Sequence, residues 1–293
     1  MFFLFRWTLY FLGGYIGAML TLFGLYTYLP NPPQILGFVA RSLSAYLTLI
    51  VCASYGTIAS GILKLLGLHY AYGQWTTAKA FKHLCIYTMG IKFDILDNGE
   101  EILISNRPAV FILNHQTELD VLLLGWIWPK HCSVTAKKSL AKVPFLGWFM
   151  TLSGTIFIDR VDRSQAMKAF EGAATAMKEN KQSVLIFPEG TRSYSAEPML
   201  LPFKKGAFHL AVQAGVPIVP IVAENYSSVL NVKARRFNSG TIRVKVLDPI
   251  DTKGLTAADV DNLTRDTREK MLNTITSLAQ DKASLSAESK KTS

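Results

Sequence analysis

The chain has 293 residues, 49% hydrophobic and 18% charged, enough for one sizeable core plus a membrane segment. Its three cysteines, Cys52, Cys85 and Cys132, lack paired spacing, which excludes a disulfide framework and a zinc site and suits a reducing compartment. The formal net charge of +10 requires an acidic partner; without a zinc-finger, RRM or homeodomain signature, that partner is anionic lipid or a phosphorylated small molecule rather than nucleic acid.

The first charged residues, Arg6 and Arg41, are separated by an uncharged stretch, and none follows again until Lys64. Trp7 to Leu29 is about 23 residues and Ser42 to Leu63 about as long, each able to cross roughly 30 Å of hydrocarbon at 1.5 Å per residue. Pro30, Pro32 and Pro33 break any helix between them. The pattern predicts a transmembrane helical hairpin over residues 1–68, with spans at 7–29 and 42–63. Gly13 with Gly17, and Gly56 with Ser60, have the small-xxx-small spacing of closely packed membrane helices. No small-residue cleavage site follows the first run, so the anchor is expected to be uncleaved. Arg6 on one flank and Lys64, Lys79 and Lys82 on the other place both ends in the cytosol by the positive-inside rule.

Residues 69–280 read as an α/β domain. Ile91, Phe93 and Ile95 alternate with Lys92 and Asp94 as in a half-buried strand, and Asn98-Gly99 marks a turn. Pro108 to Leu113 is a buried strand delivering Asn114 to Asp120, and apolar Val121 to Leu124 begin a helix. Further strands are expected at Cys132–Ala136, Thr155–Ile158, Ser183–Phe187, Val216–Val222 and Thr241–Leu247. Val143 to Met150 is strongly apolar and fits core, bilayer surface or acyl-chain groove equally. Met167, Phe170, Ala174 and Met177 recur at helical spacing and end near Asn180. Thr256 and Asp259 cap a last helix carrying Val260, Leu263, Met271 and Ile275, and polar residues 281–293 are expected to be disordered. Strands alternating with helices predict a mixed sheet flanked by helices.

Thr117 and Asp120 have capping-box spacing, which accounts for Asp120 and leaves His115 unexplained. On a continuous helix His115 and Asp120 would diverge by about 140°, so they meet only at a strand-to-helix junction. There a carboxylate on one imidazole nitrogen frees the other to take a proton; catalysis and a capped helix with an incidental His weigh equally on these residues alone. Residues 130–205 hold twelve Lys/Arg against six Asp/Glu. G-x-S-x-G, H-E-x-x-H, G-x-G-x-x-G and P-loop signatures are all absent, so a serine nucleophile or a metal has no support. What remains are polar clusters at three strand ends: His115/Asp120, Lys137/Arg160 and Glu189/Arg192. Gly190 lets backbone approach a phosphate, although a Glu-Gly-Thr-Arg turn with a surface ion pair reads equally well in isolation.

Five ordered blocks carry a resemblance: Asn114-His115-Gln116 with Asp120; Ala136-Lys137-Lys138-Ser139-Leu140 with Val143-Pro144-Phe145-Leu146-Gly147; Gly154 to Arg160; Phe187-Pro188-Glu189-Gly190-Thr191-Arg192-Ser193; and Val216 to Pro220. Together they resemble the 1-acyl-sn-glycerol-3-phosphate acyltransferases, closest to the fungal members, over roughly residues 83–249. The resemblance implies a glycerolipid acyltransferase-like fold that moves a fatty acyl group from acyl-CoA, a co-substrate, to the sn-2 hydroxyl of lysophosphatidate, giving phosphatidate without a cofactor or metal. His115 would be the general base and Asp120 its orienter. Glu189, Gly190, Thr191 and Arg192 would hold the acceptor's phosphate, with Lys137 and Arg160; Lys138 is an alternative to Lys137. An acceptor such as glycerol-3-phosphate or another lysophospholipid, or a non-catalytic lipid-binding role, stands as the rival. Membrane lipid is the remaining partner. Lys290-Lys291-Thr292-Ser293 resembles a di-lysine retrieval signal and reads at least as well as a solvated basic tail; the expectation is a multi-pass protein of the endoplasmic reticulum, or of lipid droplets, with its catalytic domain cytosolic.

Overall fold

Residues 110–113 and 218–223 carry no charged or hydroxyl side chain, and strands so apolar must be covered on both faces. The computed structural model, which describes residues 2–159 and 161–292, puts them at the centre of a seven-stranded sheet. The chain opens with three helices, α1 (Phe2–Tyr28), α2 (Gln34–Leu65) and α3 (His69–Met89). Then come β1 (Ile91–Ile95), α4 (Gly99–Ser105), β2 (Val110–Leu113), α5 (Asp120–Ile127) and β3 (Cys132–Lys137). A 3₁₀ turn (Lys138–Lys142), α6 (Leu146–Leu152), β4 (Ile156–Ile158), α7 (Arg163–Asn180) and β5 (Ser183–Ile186) follow. The chain ends with α8 (Gly206–Ala214), β6 (Ile218–Ala223), the small hairpin β7 (Leu230–Asn231) and β8 (Arg236–Phe237), β9 (Gly240–Val246) and α9 (Val260–Thr292).

The strand order is β1-β9-β6-β2-β5-β3-β4, parallel throughout except where β9 meets β6. Alternation along β2 divides its side chains between two layers. Phe111 and Leu113 pack with Phe81 and Cys85 of α3 and Leu122 of α5. Val110 and Ile112 pack with Met177 of α7, Phe208 of α8 and Met271 and Ile275 of α9. Truncating Phe111, which is fully buried, would cost about 3–5 kcal/mol.

The expected strands are all present within two residues of their predicted ends. The helices α3, α4 and α8 were not foreseen, and Asn98-Gly99 leads into α4 rather than a bare turn. Residues from Asp281 continue α9 as helix to Thr292 rather than lacking structure; that stretch contains no Gly or Pro to end a helix.

The largest departure concerns α2. Its first residue, Gln34, donates through Nε2 to the carbonyls of Ala234 and Arg235 (3.3 Å each), and Arg41 donates to Phe237 O (3.1 Å). Farther along, Thr57 Oγ1 donates to Phe145 O (3.0 Å). Gln34 and Thr57 are roughly 35 Å apart along the helix, more than the ~30 Å of a bilayer's hydrocarbon, yet both are fastened to one domain. So α2 is fastened to the domain at both places. Gly56 faces the domain rather than another span: a Cβ there would sit 2.6 Å from Phe149 and from Thr77. Gly13 and Gly17 of α1 have nothing within 4 Å of such a Cβ, and no described residue of α1 is buried. Both α1 and α2 are long and apolar enough to cross a membrane.

Candidate active site

The parallel strands β2, β5, β3 and β4 are neighbours, so their carboxyl ends bring the expected clusters to one rim. β2 ends one residue before Asn114, whose side chain extends the ladder. Asn114 Nδ2 donates to Ala223 O (3.0 Å) while Ala223 N donates to Asn114 Oδ1 (2.9 Å), as a peptide group would. Gln116 Nε2 adds bonds to Ala223 O (3.1 Å) and Glu224 O (2.8 Å). The segment between, carrying His115, is thereby tied to the end of β6.

His115 Nδ1 lies 2.7 Å from Asp120 Oδ2, with the imidazole 15% exposed and the carboxylate fully buried. An ionised carboxylate only accepts, so Nδ1 carries the proton and Nε2 has a free lone pair. The ring stacks on Phe187 at 4.1 Å between centroids, which fixes its plane. Asp120 is the first residue of α5, and its Oδ2 also accepts from the backbone N–H groups of Gln116 (2.7 Å) and Thr117 (3.2 Å). One side chain therefore both caps the helix and contacts the imidazole. Thr117 Oγ1 accepts from Leu119 N (3.1 Å).

Asp120 Oδ1 accepts from the hydroxyl of Tyr226 at 2.6 Å. That hydroxyl in turn accepts from Thr117 N (3.1 Å) and Thr117 Oγ1 (3.2 Å). Tyr226 is fully buried; burial, with the Asp120 charge beside it, pushes its hydroxyl well above the usual tyrosine range, so it remains a donor. Nothing in the sequence marks it, since it lies 106 positions from Asp120 and its neighbourhood carries no pattern.

Glu189 turns both carboxylate oxygens to backbone. Its Oε1 accepts from His115 N (2.8 Å) and its Oε2 from Leu201 N (2.9 Å), so both oxygens brace backbone. Burial raises its carboxyl above the ordinary value, and the two backbone donors oppose that. Gly190 adopts φ +70, a conformation that favours glycine; a Cβ there would meet only the flexible end of the Lys204 side chain, at 2.8 Å. Thr191 is exposed. Arg192 Nη1 reaches Glu118 Oε1 (3.1 Å) and Tyr194 OH (3.3 Å), and Tyr194 OH donates to the same Glu118 oxygen (2.6 Å). Ser193 N donates to His115 O (2.9 Å) and Tyr194 N to Gln116 O (3.1 Å), laying the basic segment beside the base.

Lys137 ends β3 with an exposed side chain, whereas Lys138 is committed to Asp159 Oδ2 (3.3 Å) and Gln165 Oε1 (2.6 Å). Arg160 lies outside the described residues. Among the described residues, no group of three His, Cys, Asp or Glu could hold a metal ion.

The structure thus sets a part-buried His against a buried Asp at the rim of a mixed α/β sheet, and residues 94–224 match the family model described as Acyltransferase. An uncharacterized acyltransferase of Schizosaccharomyces pombe is 45% identical over 83% of this chain and 86% of its own length. The 1-acyl-sn-glycerol-3-phosphate acyltransferase of Saccharomyces cerevisiae is 44% identical over 81% of this chain and 77% of its own. The crystal structure of the 1-acyl-sn-glycerophosphate acyltransferase from Thermotoga maritima superposes with a TM-score of 0.66 at 21% identity, covering 84% of this chain and 96% of that one, and shares its fold. The chain belongs to the 1-acyl-sn-glycerol-3-phosphate acyltransferase family.

Proposed function

We propose that the chain transfers a fatty acyl group from acyl-CoA to the sn-2 hydroxyl of 1-acyl-sn-glycerol-3-phosphate, giving phosphatidate and free coenzyme A. The observation that carries this reading is the 2.7 Å contact of His115 Nδ1 with Asp120, which leaves Nε2 as a base at the rim. Nε2 takes the proton of the acceptor hydroxyl as its oxygen attacks the thioester carbonyl. The tetrahedral intermediate then collapses, the C–S bond breaks, and Nε2 gives that proton to the departing sulfur, so that coenzyme A leaves as the thiol and His115 is a base again. A positioned base supplies typically 10²–10⁴-fold, and a thioester already has a good leaving group, so no covalent enzyme intermediate is needed.

Arg192, Lys137, Arg160, the Gly190 backbone and the Thr191 hydroxyl take the acceptor's phosphate. Glu189 serves instead by holding the His115 backbone in place. The domain works at the cytosolic face of the endoplasmic reticulum membrane, where both amphiphilic substrates are met; the apolar helices α1 and α2 and the charges flanking them support this reading.

The test is thiol release from acyl-CoA with lysophosphatidate as acceptor. His115→Ala should abolish turnover while acyl-CoA binding stays near normal; robust turnover by this variant refutes the mechanism.

A further inference from the structure

The stretch between Glu224 and Asp248 contains no acidic residue, and its tightest turn, between β7 and β8, concentrates Lys233, Arg235 and Arg236. Arg243 and Lys245, farther on, are neutralised by Glu224 and Asp97. The three cations of the hairpin have no ion pair among the described residues. Lys233 and Arg235 are exposed, and so is the apolar Val232 beside them.

This hairpin is fixed to the start of α2 by the Gln34 and Arg41 bonds to its backbone. Immediately before α2 lie exposed Tyr28 and Leu29, and along its outer face Tyr46, Ile50 and Ile58 are each more than half exposed. The result is a cationic tip bordering a continuous apolar surface. That juxtaposition suits the boundary between lipid headgroups and acyl chains, where apolar area and basic charge add.

We propose that the β7–β8 hairpin is a docking surface for an anionic bilayer, with Lys233, Arg235 and Arg236 on lipid phosphates and carboxylates and Val232 at the headgroup level. The proposal rests on the membrane reading of α1 and α2. The docked hairpin also lies next to the site, because Val229 N and Leu230 N donate to Tyr226 O at 2.8 and 3.0 Å. Its seating therefore sets which way the rim faces the lipid. Each basic residue near an anionic leaflet changes partition by about fivefold, so three together predict roughly 100-fold.

The test uses the full chain with Val232→Cys labelled by an environment-sensitive thiol dye; the three native cysteines are buried and remain unlabelled. The protein is reconstituted into vesicles of phosphatidylcholine alone or with phosphatidylserine, and flotation is read alongside emission. A blue shift is expected only with phosphatidylserine, reversed by high salt. The combined Lys233→Ala, Arg235→Ala and Arg236→Ala variant should lose it, by about 100-fold in docked population, while keeping its turnover in neutral detergent. A shift of equal size on both vesicle types, or in the triple variant, overturns the charge-based docking. A chain that floats while its dye stays in water overturns the docking surface alone. A chain that does not float overturns it together with the membrane reading.

Discussion

Tyr226→Phe removes one oxygen from a fully buried ring and leaves the volume of the core unchanged. The hydroxyl donates to Asp120 Oδ1 at 2.6 Å. Thr117 N keeps its bond to Asp120 Oδ2, while the Thr117 hydroxyl still accepts from Leu119 N but loses the acceptor of its own proton. The largest single loss is the hydrogen bond to a charged group, about 1.5–3 kcal/mol. Expressed in the rate, that is about 10- to 100-fold in kcat, since roughly 1.4 kcal/mol is tenfold. The KM values should hold within about twofold, because Tyr226 is not placed against either substrate. The pH dependence of stability supplies a second readout. A tyrosine raised in the fold stabilises it fully below the unfolded value, about 10, and that contribution is lost as pH rises through the folded value. Wild-type stability should therefore fall above about pH 10 by up to ~1.4 kcal/mol per pH unit more than that of Tyr226→Phe, as read by denaturant melts. Thiol-release kinetics measure the first effect. Unchanged kcat together with parallel stability curves would refute the argument that this hydroxyl holds Asp120.

Arg192→Ala should raise the KM for lysophosphatidate roughly tenfold or more and move that for acyl-CoA less, since a charge-assisted bond contributes about 1.5–3 kcal/mol; a rise in the acyl-CoA value instead would assign the guanidinium to coenzyme A. Glu118→Gln acts in the opposite sense: it weakens an exposed pair worth up to about 1 kcal/mol and frees Arg192, so the lysophosphatidate KM should fall a few-fold in the same assay. Glu189→Gln keeps the shape but turns an amide N–H toward a backbone N–H, of His115 or Leu201, and should lower stability by about 1–3 kcal/mol in a thermal melt, with kcat falling alongside. Asn262, exposed in the sequon Asn262-Leu263-Thr264, should remain unglycosylated in cells, and a glycosidase-sensitive mass shift lost in Asn262→Gln would put the domain in the lumen. Asn225 is the poorer reporter, because its amide is already engaged with the carbonyls of Ser195 and Glu197.

The sheet was legible because its inner strands are short apolar runs bounded by polar turns, and α7 because Asp162 caps it, accepting from Gln165 N at 3.1 Å. His115 and Asp120 were legible as a pair because their spacing works only across a strand-to-helix junction. What escaped had no local signal. Glu189 and Arg192 stand three apart and read as one unit, yet the turn sends the first inward to backbone and the second outward to Glu118. Apolar length could not separate α1 from α2, since hydrocarbon and a protein face select the same residues. The distinguishing mark is the row of small side chains on α2, from Gly37 and Ala40 through Ser44 and Thr48 to Gly56 and Ser60, which is its buried face. Tyr226 and Glu118 enter the site only through the register of β6 on β2 and the pairing of residues 193–194 with the His115 loop.

Asn114 has a consequence beyond its own two bonds. It completes the β2–β6 ladder with a side chain just before His115, and the Gln116 amide fastens to the carbonyls of Ala223 and Glu224 just after it. The His115 backbone is consequently held to β6 on both sides, and displacing it means breaking hydrogen bonds to the sheet. On the proposed mechanism, the proton acceptor is then framed by the sheet while the lipid beside it moves.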